Sequence, residues 1–148
     1  MRLKARLRGA REQERRLARL ERIASEPVQE RALFAGAEII AEDARARVHR
    51  RSGGLAVSIK VSREQAHYGP SASSGTVGLA GGGLSHGGVT VYIGPAAPDG
   101  FYGHMEEFGT IDTPAHPFMR PAIDAKRGAA FRAMANVIRA EFQKEGAR

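Results

Sequence analysis

The sequence FYGHMEEFGTIDTPAHPFMRPAID, residues 101–124, says most about how this chain folds. Tyr102 to Phe108 has the apolar spacing of a short helix, and Gly109 suits the left-handed residue that closes such a helix. Pro117 restricts the residue before it to extended conformations and suits the first position of a second helix. The segment therefore predicts a stiff docking element that presents two apolar side chains, Phe118 and Met119.

Helical periodicity predicts two long helices, one on each side of a glycine-rich centre. Apolar residues recur at helical spacing from Pro27 to about His49, and Ser25 is placed to cap that helix. A second periodic run extends from about Pro117 to Lys144.

Alternating apolar residues predict strands between these helices. Leu55 to Val61 and Val89 to Ile93 both alternate as half-buried strands do, and Val77 to Leu79 indicates a short third strand. The order of elements predicts an α+β fold, with a small antiparallel or mixed sheet packed by two main helices and an extended basic helix at the N-terminus.

The composition fits one modest domain, which we place at residues 26–148 behind a helical arm at residues 1–25. The chain has no cysteine, which excludes disulfides and thiolate metal sites. It also has no run of about 18 apolar residues to cross a bilayer and no apolar signal-peptide core after its basic start. We therefore expect the protein to stay in the cytoplasm in which it is made.

Positive charge is concentrated in residues 1–24, which hold nine basic and three acidic side chains. Leucines recur there near the helical period and predict an amphipathic helix. The helix could be solvated and lie on the body of its own subunit or on a neighbouring subunit, or it could contact an acidic protein ring or DNA phosphates. A membrane surface is disfavoured, because no Trp or Phe marks the apolar face. The candidate contacts to DNA or an acidic partner are Arg2, Lys4, Arg6, Arg8, Arg11, Arg15, Arg16 and Arg19.

Two short boxes follow the aromatic residues of the opening segment: Glu-Phe-Gly-Thr at residues 107–110 and His-Pro-Phe-Met-Arg-Pro-Ala at residues 116–122. This pattern resembles the small neck proteins of long-tailed bacteriophages, the minor tail components or tail-completion proteins that join head to tail. The run RSGGLAVSI, residues 51–59, is similar to the start of the family's first strand. The resemblance covers about residues 28–143 and leaves out the basic first 24 residues.

The resemblance implies a structural virion protein of the neck or tail, assembled in the bacterial cytoplasm. It implies a ring, with six copies to match the symmetry of the tail, around the DNA channel. The partners would be neighbouring neck, portal-side or tail-tube proteins, and no catalysis or cofactor would be involved. An alternative is a DNA-binding packaging accessory protein that acts through the arginine-rich arm.

Within the two boxes, we expect Phe108, Phe118 and Met119 to be buried anchors, with Glu107 and Arg120 as orienting charges. The candidate docking residues are Tyr102, Glu107, Phe108, Gly109, His116, Pro117, Phe118, Met119, Arg120 and Pro121.

The stretch from about residue 62 to 88 is rich in glycine and serine and is predicted to be a loop, either one that orders on assembly or a mobile connection. It contains GLSHG at residues 83–87, which matches the GxSxG pattern of a hydrolase nucleophile elbow. That serine must lie between a strand and a helix, whereas here a strand follows. A hydrolase that uses Ser85 is therefore disfavoured.

The histidines allow a second chemical interpretation. His104, Glu107 and His116 could supply metal ligands, with Glu106 as a base, but the HExxH spacing is missing. The alternative is structural, with His116 capping the helix that Pro117 begins. We favour the structural interpretation and expect no metal.

Overall fold

The computed structural model describes residues 10–49, 53–63, 84–86, 89–96 and 99–146. Its helices are α1 (Ala10–Ile23), α2 (Glu26–Arg47), α3 (Gly54–Ser58), α4 (Gly103–Phe108) and α5 (Met119–Gly146). The strands are β1 (Ile59–Ser62), β2 (Leu84–His86) and β3 (Val89–Pro95), and a 3-10 turn at Asp99–Tyr102 leads into α4. Most of the predicted loop at residues 62–88 lies outside the described residues.

The three strands form one antiparallel sheet in the order β1-β3-β2. Along β3, Val89, Val91 and Ile93 are buried and alternate with half-buried residues, as expected for a strand with one face against a core. The predicted α+β fold, with a small antiparallel sheet and long helices, is confirmed.

Helix α2 is the centre of the domain, because it contacts the sheet and also packs along α5. The two helices run antiparallel, with ion pairs between Arg31 and Glu141 at 2.9 Å and between Asp43 and Lys126 at 3.6 Å. Between these pairs the helices approach closely at Gly36, where a Cβ atom would lie 3.1 Å from the carbonyl oxygen of Ala130. The core is built from α2, β3, the first residue of β1 and the first half of α5.

The predicted strand at Leu55 to Val61 is wrong in its first half, because residues 54–58 form α3. Gly53, at φ +79°, starts the helical turn, and its carbonyl accepts the Val57 N–H at 3.2 Å. Strand β3 ends at Pro95, which is opposite Ile59, so residues before Ile59 have no strand to pair with. Strand β2 was not predicted, and the predicted strand at Val77 to Leu79 lies outside the described residues.

The helix starts also differ from expectation. Ser25 is the N-cap residue of α2, but only its backbone carbonyl is used, accepting the N–H groups of Val28 and Gln29. Helix α5 starts at Met119 rather than at Pro117. No helix in the described part of the chain is both long and apolar enough to span a membrane.

Helix α1 docks its last turn onto the C-terminal end of α5. Ile23 is buried, Arg22 pairs with the Glu145 carboxylate at 3.1 Å, and Arg19 donates to the Glu145 carbonyl. Cations at the end of a helix are stabilised by its unpaired carbonyls and its dipole.

Lys144 should control the titration of Glu141 on α5. Its ammonium donates to Glu141 Oε1 at 2.9 Å, and this hydrogen bond, assisted by Arg31, lowers the pKa of the Glu141 carboxyl. A lowered folded-state pKa adds stability above the unfolded-state pKa, and this stability is lost as the pH falls through the folded-state pKa. We predict that Lys144→Met raises the pKa of Glu141 in an NMR titration. Lys126→Met, which removes a partner of Asp43, is the control and should leave the pKa of Glu141 unchanged.

Candidate docking interface

Glu107 is a buried carboxylate that caps the first turn of α5. It lies in α4 with a relative exposure of 1%. Its Oε2 accepts the backbone N–H groups of Phe118 at 2.7 Å and Met119 at 2.9 Å, and its Oε1 accepts the N–H of Arg120 at 3.2 Å. Unpaired N–H groups at a helix start favour a negative charge. One side chain therefore fixes the relative position of α4 and α5.

Arg120 lies beside this cap and is partly exposed. Its Nε is 3.3 Å from Glu107 Oε1, so the two charges that were expected to be orienting form an ion pair within one chain. Its guanidinium also lies over the ring of Phe108, 4.6 Å from the ring centroid, which is a cation–π contact. The pair fixes the direction of Arg120 while leaving half of its side chain exposed.

A tight turn connects the two helices. The Thr110 N–H donates to the Thr113 carbonyl at 2.9 Å, and the Thr113 N–H donates to Thr110 Oγ1 at 3.1 Å. The His116 N–H then donates to the Glu106 carbonyl at 2.7 Å, which returns the chain to α4. The connection is thus hydrogen-bonded at both of its ends.

Gly109 starts this turn with φ +75° and ψ 178°. The positive φ agrees with the prediction, whereas the extended ψ shows that Gly109 is not in the left-handed helical conformation. A Cβ atom here would lie 2.8 Å from the Ala115 nitrogen and 2.9 Å from the Thr113 oxygen. Only glycine fits between these backbone atoms.

The predicted anchors divide into two groups. Phe118 and Met119 are completely buried in the core, as expected. Phe108 was also expected to be buried, but it is 51% exposed. The buried side of α4 is formed by Gly103 and Glu107, and Phe108 lies outside it. His116 was expected to cap α5, but the cap is the carboxylate of Glu107, and the His116 ring instead stacks on His49 at 5.8 Å.

The outer side of this segment presents several exposed groups. We define the docking surface as five residues with exposed side chains: Tyr102, Phe108, Ile111, His116 and Arg120. Ile111 is fully exposed and was missed by the sequence analysis, although an isolated isoleucine between polar turn residues was a usable signal. Pro117 is also exposed, whereas Gly109 and Pro121 are half-buried.

The residues of the alternative metal site and of the alternative hydrolase site have other positions or contacts in the structure. His104 Nδ1 lies 2.9 Å from the Phe101 carbonyl, and the Glu107 oxygens are used by the α5 cap. Within the ranges that the structure describes, no three His, Asp or Glu side chains are grouped so that they could hold a metal ion. Ser85 lies in strand β2 and not on a strand-to-helix turn.

The arginines of the arm are not equivalent. Arg11 and Arg15 are exposed, and Arg16 pairs with Glu12 at 3.4 Å. Arg19 donates to the Glu145 carbonyl at the end of α5 within its own chain, and its contact to DNA or an acidic partner stays a prediction. Arg2, Lys4, Arg6 and Arg8 lie outside the described residues.

The fold and this segment describe a small α+β protein with an exposed docking surface. The model of the family described as "Bacteriophage HK97-gp10, putative tail-component" matches residues 11–109, about two thirds of the chain. The chain therefore belongs to this family of bacteriophage tail components, and it is a virion protein. The match includes α1, which the sequence analysis had left outside the resemblance, and it ends before the second box. No curated protein and no solved structure matches the chain.

Proposed function

We propose that this tail component acts at the junction of head and tail, as a tail-completion or head–tail joining protein. The observation that carries the proposal is the Glu107 cap, which holds the docking surface rigidly on the core. A pre-ordered surface loses little conformational entropy on binding. The mechanism is binding without chemistry.

The docking surface has the composition of a protein interface. Tyr102, Phe108 and Arg120 belong to the residue types that are enriched in protein interfaces, and all three are exposed here. The partners would be neighbouring neck, portal-side or tail-tube proteins. Arg120, whose charge is partly exposed, would select an acidic or aromatic group on the partner.

Several copies, with six to match the symmetry of the tail, would close into a ring around the DNA channel. Such a ring needs head-to-tail contacts between identical subunits. Arg11 and Arg15 are exposed and would face either the DNA or an acidic neighbouring ring.

The test is an in vitro joining assay. Heads and tails would be prepared from a producing strain that lacks the gene, and purified protein would be added to them. We expect complete particles to form in proportion to the added protein. Heads and tails that stay separate in its presence would contradict a joining role.

Disrupting the docking surface should abolish joining without unfolding the protein. We predict that Ile111→Asp reduces the yield of joined particles by about tenfold or more, because it places a charge where an apolar contact is expected. Thermal stability should be unchanged, because Ile111 is fully exposed. The matched control is Ala125→Asp, at an exposed position of α5 that is not one of the five residues of this surface. Equal yields from both variants would remove Ile111 from the interface.

The alternative function is DNA binding through the arm, and in the described part of the arm the exposure of Arg11 and Arg15 favours it. It predicts that Arg11→Glu together with Arg15→Glu abolishes a salt-dependent affinity for DNA. Loss of DNA binding with joining retained would make the arm secondary.

A further inference from the structure

In the described part of the chain, two apolar helix faces are exposed and lack a complete partner within one subunit. On α1, Ile23 is buried, whereas Leu17 and Leu20 are 59% and 50% exposed. On α5, a row of residues recurs at intervals of three or four positions: Phe131, Ala135, Ile138 and Phe142. We call this row the α5 stripe. Phe131 and Phe142 are 65% and 45% exposed. Large apolar side chains aligned on one helix face mark a place where another helix packs.

Charges beside these two faces are complementary. Glu14 and Glu21 lie three residues before and four residues after Leu17, so they line one side of the α1 face. Arg132 and Arg139 lie three residues before and four residues after Ala135, so they line one side of the α5 stripe. The acidic pair and the basic pair therefore have the same spacing of seven residues.

These charges are available for a partner. Glu14, Glu21, Arg132 and Arg139 are all exposed. Among the described residues none of the four is in an ion pair, and Arg139 donates only to the Asn136 side chain at 2.8 Å. The arginines on the opposite side of α1 cannot form ion pairs with Arg132 and Arg139, because they carry the same charge.

The geometry also sets the direction of packing. When each helix is viewed from its N-terminus, the glutamates are displaced around the helix from Leu17 in the same rotational direction as the arginines are displaced from Ala135. Two facing helices bring matching sides together only when they are antiparallel. In that orientation Glu14 meets Arg139, Glu21 meets Arg132, and Leu17 lies against Ala135. At 1.5 Å per residue, α1 is about 21 Å long and covers the α5 stripe of about 17 Å.

We propose that α1 of one subunit packs antiparallel on the α5 stripe of a second copy of the chain. The partner is not the same subunit's α1, because that helix is already fixed at the far end of α5 through Arg19 and Arg22. The two surfaces are different, so the contact is heterologous and repeats from copy to copy. The inference rests on the self-association in the proposed function and specifies its interface.

The test uses the absence of cysteine from the natural sequence. The double variant Leu17→Cys with Ala135→Cys would be oxidised in the purified protein and in particles from a strain complemented with it. We expect disulfide-linked dimers and higher multimers, because facing positions of packed helices suit a disulfide. The matched control is Arg15→Cys with Ala135→Cys, in which the first cysteine lies on the polar face of α1 and should give no multimers.

Charge exchange provides a second readout. Glu14→Arg with Glu21→Arg should weaken self-association by roughly tenfold in sedimentation velocity, and so should Arg132→Glu with Arg139→Glu. Combining all four changes should restore it, whereas Arg11→Glu with Arg15→Glu should not weaken it. Joined particles that contain no interchain disulfide would overturn this interface while the proposed function stands. Particles that fail to join even with the unchanged protein would overturn the function instead.

Discussion

Replacing Glu107 by alanine should destabilise the protein by about 3–5 kcal/mol. The change removes a buried acceptor from three backbone N–H groups at the start of α5, and it also leaves a cavity. Hydrogen bonds to a charged group contribute about 1.5–3 kcal/mol each and are not additive. The free energy of unfolding would be measured by urea denaturation with linear extrapolation.

Two further variants test whether the loss of stability comes from the Glu107 cap. Glu107→Gln keeps one acceptor oxygen and the side-chain volume, so we expect a smaller loss of about 2 kcal/mol. Glu106→Gln is the matched control, because the neighbouring Glu106 contributes only its backbone carbonyl to the turn, and its effect should stay below about 0.5 kcal/mol. Equal stability of Glu107→Ala and Glu106→Gln would show that the cap contributes nothing.

Phe118→Ala should cost about 3–5 kcal/mol, because the ring is completely buried in the core at the end of the docking segment. The large loss follows from the removed apolar contacts and the cavity that remains. Thermal and urea unfolding of the purified variant would measure it.

A matched phenylalanine tests whether burial is the cause. Phe101 is 47% exposed and packs edge-on against Tyr102 and His104. Phe101→Ala should therefore cost less than about 1.5 kcal/mol. If Phe118→Ala were no more destabilising than Phe101→Ala, Phe118 would not be a core anchor. If assembly also stayed intact, Phe118 would have no part in the docking element.

The sequence predicts helices and strands well where one local pattern is sufficient to define them. Strand β3 has strict alternation, and both long helices have a clear apolar period, so all three are found close to their predicted bounds. Leu55 to Val61 also alternates, but its first half forms α3, because pairing depends on where the partner strand ends. A local sequence pattern does not show where the partner strand, which is distant in the sequence, will end.

The docking segment shows the same limit. Its stiffness and the proximity of Glu107 to Arg120 follow from the glycine, the prolines and the charges in the sequence. The cap does not, because it depends on α4 placing a carboxylate against the start of α5. The exposure of Phe108 is a further consequence of that packing, since burying Glu107 turns Phe108 outward to stack under Arg120.

The most direct test of the head-to-tail role is electron microscopy of particles from a producing strain with this gene deleted. We predict DNA-filled heads beside finished tails that are not attached to them. Tails of abnormal length would instead place the protein in tail termination. Normal, complete particles in the absence of the gene would contradict the proposed joining role.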